Sequence, residues 1–183
     1  MTNEDKAAEV LATVASFTAE YIQSRLLWQC GQMAPGADQN EPLRNALQQL
    51  HANPAEGLRY TMEGQEWHSM ARYGAGLIDA DAWEMREICQ GMAEWLFAVP
   101  GSNAYTIPAS SYATPMGALW AMALIRTEGD ELITIAEAAQ LAGVSVQAIS
   151  QRIERGKLQA FINPFAPERQ GRQMVRRRDV ADA

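Results

Sequence analysis

Residues 134–158 read TIAEAAQLAGVSVQAISQRIERGKL and constrain the fold of this chain more than any other segment. Thr134 and Glu137 have the spacing of a capping box, in which the hydroxyl and the carboxylate each accept a backbone N–H of the other residue. Gly143 stands where a helix commonly ends in a left-handed residue, and Ser145 can cap a new helix. The segment therefore predicts two short helices joined by a tight turn.

Apolar residues mark the buried faces of these two predicted helices. In the first helix they are Ile135, Ala138, Ala139 and Leu141. In the second helix Ile149 and Ile153 repeat at i, i+4. Two helices joined by a Gly-containing turn form a helix-turn-helix unit, whose second helix lies in a DNA major groove.

The same segment resembles the winged helix-turn-helix of the excisionase and MerR-like family. The resemblance is carried by residues 134–145, Ile149, Ile153, the Arg-Gly-Lys-Leu at 155–158 and the Arg-Arg-Arg-Asp-Val at 176–180. It implies a β-hairpin wing with strands at 159–162 and 173–176 and a connecting loop at 163–172. It also implies that Asp179 and Val180 open a last helix, here missing or cut short.

Charge is distributed unevenly along the chain. The net charge is -7, and residues 1–129 hold 7 basic against 15 acidic side chains. Residues 145–178 instead hold 8 basic against 2 acidic side chains, a local charge of +6. A basic segment on an acidic body is typical of a DNA-reading tail, with a solvated charged face as the alternative.

The predicted second helix of the unit supplies the candidate DNA contacts. Its candidate base contacts, which face away from the buried isoleucines, are Val146, Gln147, Ser150 and Gln151. Glutamine amides suit adenine N6 and N7, and valine suits a thymine methyl; ordinary exposed helix surface is the alternative for the two glutamines. Candidate phosphate or groove contacts are the cap Ser145 and the basic residues Arg152, Arg155, Lys157, Arg169, Arg172, Arg176, Arg177 and Arg178.

We expect a mainly α fold with two domains. Residues 1–127 are predicted to form an all-helical domain, and residues 131–183 a winged helix-turn-helix domain with a small β-hairpin. A long first helix at 4–29 is indicated by an apolar stripe that includes Val10, Val14, Phe17 and Tyr21. Further helices are predicted at 42–52, 56–77, 79–98 (with Trp83 on its buried stripe) and from Thr114, as N-cap, to Thr127.

Little in the sequence indicates catalysis. His51 and His68 form no zinc motif, and Asp79 and Asp81 at a predicted helix start are more typical of capping than of metal binding. Cys89 would be a nucleophile only if the fold brought a histidine to it. We expect no enzyme activity, no cofactor and no metal site. The acidic start lacks a signal peptide and no apolar run could cross a bilayer, which predicts a cytoplasmic protein without a membrane partner.

Three functions remain open. The leading one is a transcriptional regulator that binds double-stranded DNA as a homodimer, because a two-fold dimer matches a palindromic site. Its helical domain would form the dimer. The Trp and Met residues of that domain could line an apolar pocket for a small-molecule effector, although residues of these types more commonly form the hydrophobic core. The second is an excisionase-like architectural DNA protein, or an antitoxin that binds a protein partner. The third is a protein-interaction module with no role at DNA.

Overall fold

The computed structural model describes residues 1–33, 52, 62–97, 105–166 and 173–181. Within these ranges the chain is mainly helical, with one small antiparallel sheet. The elements in chain order are α1 (Asn3–Met33), α2 (Met62–Gly74), α3 (Ala82–Phe97), a 3₁₀ helix (Ala109–Ala113), α4 (Pro115–Thr127), β1 (Leu132–Thr134), α5 (Ile135–Ala142), α6 (Val146–Glu154), β2 (Ala160–Ile162), β3 (Gln173–Arg176) and α7 (Arg177–Ala181). The helix predicted at 42–52 lies outside the described residues, except for residue 52.

Helix α1 packs along the body through the predicted stripe. Val10 and Val14 are fully buried. Phe17 and Tyr21 meet the ring of Trp67 in α2 edge-on, with ring centroids 5.3 and 5.1 Å apart. The stripe is therefore confirmed for these four residues, and its aromatic members pack within their own chain. The side chains of residues 22–33 lie outside the description.

Helix α4 is the centre of the helical body. The predicted cap is confirmed, because the Gly117 N–H donates to the Thr114 hydroxyl at 3.0 Å and Pro115 occupies the first turn. Leu119 and Ala123 are buried, and α4 packs against α1, α2 and α3. The apolar run from Met116 to Ile125 is thus part of a core helix. None of the described helices is both long and apolar enough to span a membrane.

Helix α3 begins at Ala82, three residues later than predicted. Asp81 caps it, since its carboxylate accepts the N–H groups of Trp83 and Glu84 at 3.0 Å each. The prediction that Trp83 is buried is wrong: its exposed fraction is 70%. The buried face is formed by Met85, Cys89, Met92 and Ala93. At 100° per residue, Trp83 points about 200° away from Met85 and therefore into solvent.

The sheet has the strand order β1-β3-β2, and both pairings are antiparallel. Strands are confirmed at both predicted positions, except that β2 begins at Ala160; their role as a wing stays a prediction. Strand β1 was not predicted from the sequence. It is only three residues long, and its partner β3 lies about forty residues further along, so no local signal marks it.

Buried side chains form two clusters. The larger lies among α1, α2, α3 and α4, and the smaller lies between the sheet and α5, α6 and α7. Two strand residues contact the larger cluster. Phe161 of β2 is a buried member and meets the Tyr112 ring edge-on at 5.4 Å between centroids, and the half-buried Leu132 of β1 packs against the cluster. The two clusters largely coincide with the two predicted domains, residues 1–127 and 131–183, and β2 contacts both. The division into domains stays a prediction.

Candidate nucleic-acid interface

The two helices α5 and α6 are held by the predicted caps. The Glu137 N–H donates to the Thr134 hydroxyl at 3.2 Å, and the Thr134 N–H donates to the Glu137 carboxylate at 2.8 Å. Gly143 ends α5 with φ of 65°, and Gly156 follows α6 with φ of 69°. Ser145 caps α6 by accepting the Ala148 N–H at 3.2 Å. Local hydrogen bonds thus determine where each helix begins and ends.

The hydrogen bonds from Thr134 also lower the pKa of the Glu137 carboxyl. The side-chain and backbone hydrogen bonds from Thr134, in that order, hold the pKa of the Glu137 carboxyl below its ordinary value. The charge of Arg177 acts in the same direction. Glu137 is therefore an anion that belongs to the first turn of α5, where the helix dipole favours it.

Helix α6 is anchored on one face and uncovered on the other. Ile149 is fully buried and Ile153 is half-buried against the same cluster. Val146 has an exposed fraction of 50%, and Gln147 and Gln151 are exposed. No hydrogen bond in the described part of the chain occupies either glutamine amide. Three of the four candidate base contacts are therefore exposed: Gln147 and Gln151 lie one turn apart on one face, and Val146 precedes them at the start of the helix.

The fourth candidate base contact has a different environment. Ser150 is half-buried, and its hydroxyl donates to the Val146 carbonyl at 3.2 Å. A hydroxyl that bonds the carbonyl four residues earlier is partly used by its own helix. Its contact with a base stays a prediction.

Leu141 departs from the predicted buried face of the first helix, since its exposed fraction is 45%. The buried or half-buried residues of α5 are Ile135, Ala138, Ala139 and Ala142. At 100° per residue these span an arc of about 100°, and Leu141 falls about 60° beyond its edge. The prediction for Leu141 is wrong because the true buried arc is centred on the alanines.

The basic residues at the end of α6 differ in exposure. Arg155 and Lys157 are exposed, and no ion pair among the described residues involves either one. Arg152 is half-buried, and its Nη1 has neither solvent contact nor a described hydrogen-bond partner. The Arg152 Nη1 therefore faces the protein interior. Arg155 and Lys157 are thus the cations best placed for phosphates.

The three consecutive arginines at 176–178 lie beside carboxylates. Arg176 binds Glu128 and Asp130, and Arg177 binds Glu131. The Arg178 Nε lies 3.9 Å from the Asp130 Oδ2, at the limit of an ion pair. Their contact with DNA stays a prediction, and these carboxylates compete with it.

The pKa values of Asp130 and Arg176 are both shifted by their contact. Burial would raise the pKa of Asp130, but the hydrogen bonds from Arg176 and from the Glu131 N–H outweigh it and lower the pKa. The hydrogen bonds to Asp130 and then to Glu128 raise the pKa of Arg176. Sequence reasoning missed these carboxylates, although the acidic Glu-Gly-Asp-Glu at 128–131 was a usable signal opposite a run of three arginines.

The remaining two candidate arginines, Arg169 and Arg172, lie outside the described residues. The loop that leads to them begins against the helical body. Phe165 packs on the larger cluster, and the Lys6 ammonium lies 5.5 Å from its ring centroid. The start of the loop after β2 therefore lies next to α1.

Residues considered for chemistry have other roles in the structure. Asp79 forms an ion pair with Arg126 at 2.7 Å, while Asp81 caps α3, so the two carboxylates have separate partners. Cys89 is fully buried, and burial raises the pKa of its thiol to about 12. Burial, and then the charge of Arg72, lower the pKa of His68. The Cys89 thiol is therefore not available as a thiolate near neutral pH.

Comparisons with protein-family models, with curated proteins and with solved structures gave no match to this chain. The resemblance to the excisionase and MerR-like family therefore depends on the motif residues alone.

Proposed function

We propose that this chain is a sequence-specific DNA-binding protein, a cytoplasmic transcriptional regulator that acts as a homodimer. Its winged helix-turn-helix would comprise β1, α5, α6 and the strands β2 and β3, with α6 as the recognition helix. One observation carries the proposal. Ile149 anchors α6 to the core at full burial, while Val146, Gln147 and Gln151 remain uncovered on the same helix.

The uncovered side chains have suitable chemistry for base edges. Recognition helices contact bases mainly with their N-terminal residues, and Val146 and Gln147 are the first two residues of α6. A glutamine amide can donate and accept at adenine N6 and N7, and a valine methyl can pack on the thymine methyl. Gln151 lies one turn after Gln147 on the same face, so both can contact one strand of bases.

Phosphate binding would come from the end of α6 and the turn after it. Arg155 and Lys157 are exposed there, so they can contact the backbone on one side of the groove. Phosphate contacts determine register rather than sequence preference. Because the whole chain carries a charge of -7, the acidic body would oppose nonspecific binding to DNA.

Binding selection followed by fluorescence anisotropy tests the proposal. Duplexes are enriched from a random pool with the full chain, and the best duplex is compared with a scrambled one across a salt series. We expect a clear preference for the selected duplex. Equal, steeply salt-dependent affinity for both duplexes would favour the architectural alternative, and no binding at low salt would contradict the DNA proposal.

Two variants separate base contact from phosphate contact. Gln147→Ala should weaken the selected duplex by about 1–3 kcal/mol, or roughly 5- to 150-fold, and relax preference at one position. Gln140→Ala, an exposed glutamine on α5, is the matched control. Arg155→Ala should lower the affinity for both duplexes equally and reduce the slope of log K against log salt by about 0.9. Arg72→Ala, which removes an exposed arginine of α2, is the matched control.

A further inference from the structure

The helical body contains an apolar cavity between α1, α3 and α4. Its volume is about 240 Å³, and its walls include Phe17, Met92, Leu96, Met116 and Trp120. An apolar cavity of about 150 Å³ is large enough for benzene in another protein. This cavity therefore has room for a larger aromatic molecule.

The Thr114 hydroxyl and the Trp120 indole N–H, which both lie at the cavity, already have partners within the chain. The Thr114 hydroxyl donates to the Ser111 carbonyl at 2.9 Å and accepts the Gly117 N–H at 3.0 Å. The Trp120 indole N–H donates to the Cys89 carbonyl at 2.9 Å. The described lining includes no charged side chain. A charged ligand would lose hydration without gaining a partner, whereas an aromatic one would pack on rings and thioethers.

A row of three aromatic rings leads from the cavity wall to the sheet. Tyr112 stacks on Trp120 with centroids 5.7 Å apart and an interplanar angle of 27°. Tyr112 also meets the ring of Phe161 in β2, with centroids 5.4 Å apart and an interplanar angle of 74°. Phe161 lies opposite Met174 of β3 in the strand register. Tyr112 is therefore one contact between a cavity-lining ring and the sheet, beside the direct packing of α4 on β2.

We propose that this cavity is an effector site for an uncharged aromatic molecule of about one or two rings, and that its occupancy is transmitted to the sheet through Tyr112. Protein interiors are close-packed, so a molecule that displaces Trp120 also displaces the ring stacked on it. The site itself stands on the geometry of the cavity. Its regulatory meaning rests on the proposed DNA binding, because the sheet is part of the proposed winged helix-turn-helix.

Methionine ¹³C-methyl NMR on the full chain tests the site without DNA. Naphthalene is the probe, and 2-naphthoate is its charged counterpart. Met92 and Met116 line the cavity, whereas Met70 is fully buried elsewhere in the same body and is the matched control. Naphthalene should shift the first two methyl signals saturably, with a Kd below about 1 mM, and leave Met70 in place. Absent shifts at Met92 and Met116, or equal binding of 2-naphthoate, would overturn the site.

Variants of Tyr112 test the route to the sheet, with Met174 as the reporter. The Met174 signal should move with naphthalene in the parent chain and in Tyr112→Phe, which keeps the ring. Tyr112→Leu should bind naphthalene equally but lose the Met174 shift. Phe161→Leu is a second variant with the same expectation, in case Tyr112→Leu does not fold. An unchanged Met174 shift in the leucine variants, or none in the parent, would overturn the route.

DNA affinity with and without naphthalene is a separate measurement. A change in affinity that follows saturation of the Met92 shift would support the regulatory meaning of the site. Absence of any DNA binding, with the methyl shifts intact, would overturn the proposed function and leave the effector site standing.

Discussion

The Arg176 Nε of strand β3 donates to the Asp130 Oδ2 at 2.7 Å, across 46 residues of sequence. The same guanidinium binds Glu128, whose other carboxylate oxygen lies 3.6 Å from Arg86 of α3. The Asp130 side chain is only 8% exposed. Ion pairs therefore join the turn between α4 and β1 to the sheet, and they connect the proposed DNA-binding part to the helical body.

Removal of Arg176 should destabilise the protein. In Arg176→Ala the nearly buried Asp130 would lose its main partner, and we expect the free energy of unfolding to fall by about 2–4 kcal/mol. Arg178→Ala is the control, because the Arg178 side chain is 58% exposed and 3.9 Å from Asp130; it should cost less than about 1 kcal/mol. Urea denaturation measures both. Equal losses for the two variants would contradict this role for Arg176.

Stability should also depend on pH through Asp130. Its folded-state pKa is lower than its ordinary value, so the carboxylate stabilises the fold fully above the unfolded pKa of about 3.9. This stabilisation is lost as pH falls through the folded pKa. We expect the urea midpoint to fall between about pH 5 and pH 3 and Arg176→Ala to flatten that dependence. Glu137, whose pKa is lowered by Thr134, should leave a residual slope. An identical pH dependence in both proteins would refute the assignment.

Two helical glycines should respond oppositely to alanine. A Cβ at Gly74 would lie 2.6 Å from the Leu119 carbonyl oxygen and 2.7 Å from the Ala123 nitrogen, both backbone atoms of α4. Gly74→Ala should therefore cost about 2–4 kcal/mol, because α2 and α4 must separate. Gly91→Ala meets nothing within 4 Å and should stabilise α3 by about 0.5–1 kcal/mol. Thermal unfolding compares them, and a harmless Gly74→Ala would be inconsistent with this close packing.

The Cys89 thiol should resist alkylation in the folded protein. It is fully buried and its pKa is raised to about 12 by burial, so both access and thiolate content are low. Iodoacetamide at about pH 8 should label the Cys89 peptide slowly in buffer and rapidly in denaturing urea, as followed by mass spectrometry. Rapid labelling without urea would show that α3 opens or packs differently.

Much of the candidate interface could be predicted from the sequence because its local geometry depends on neighbouring residues. The caps at Thr134 and Ser145 need only a side chain and an N–H within one turn of helix. Gly143 and Gly156 adopt the left-handed conformation for equally local steric reasons. The pairing of β2 with β3 also followed from the family resemblance of the segment.

The sequence by itself determined the boundaries of α5 and α6, the turn between them and the buried face of α6, because capping and i, i+4 periodicity act over a few residues. Only the tertiary structure decided which charges are free and which apolar residues are covered. Arg176 and Lys157 both carry a positive charge, yet one is paired with Asp130 and the other is exposed. Trp83 is exposed although it is apolar. These outcomes depend on which distant surfaces meet, and contacts across 46 residues leave no periodic signal in either segment.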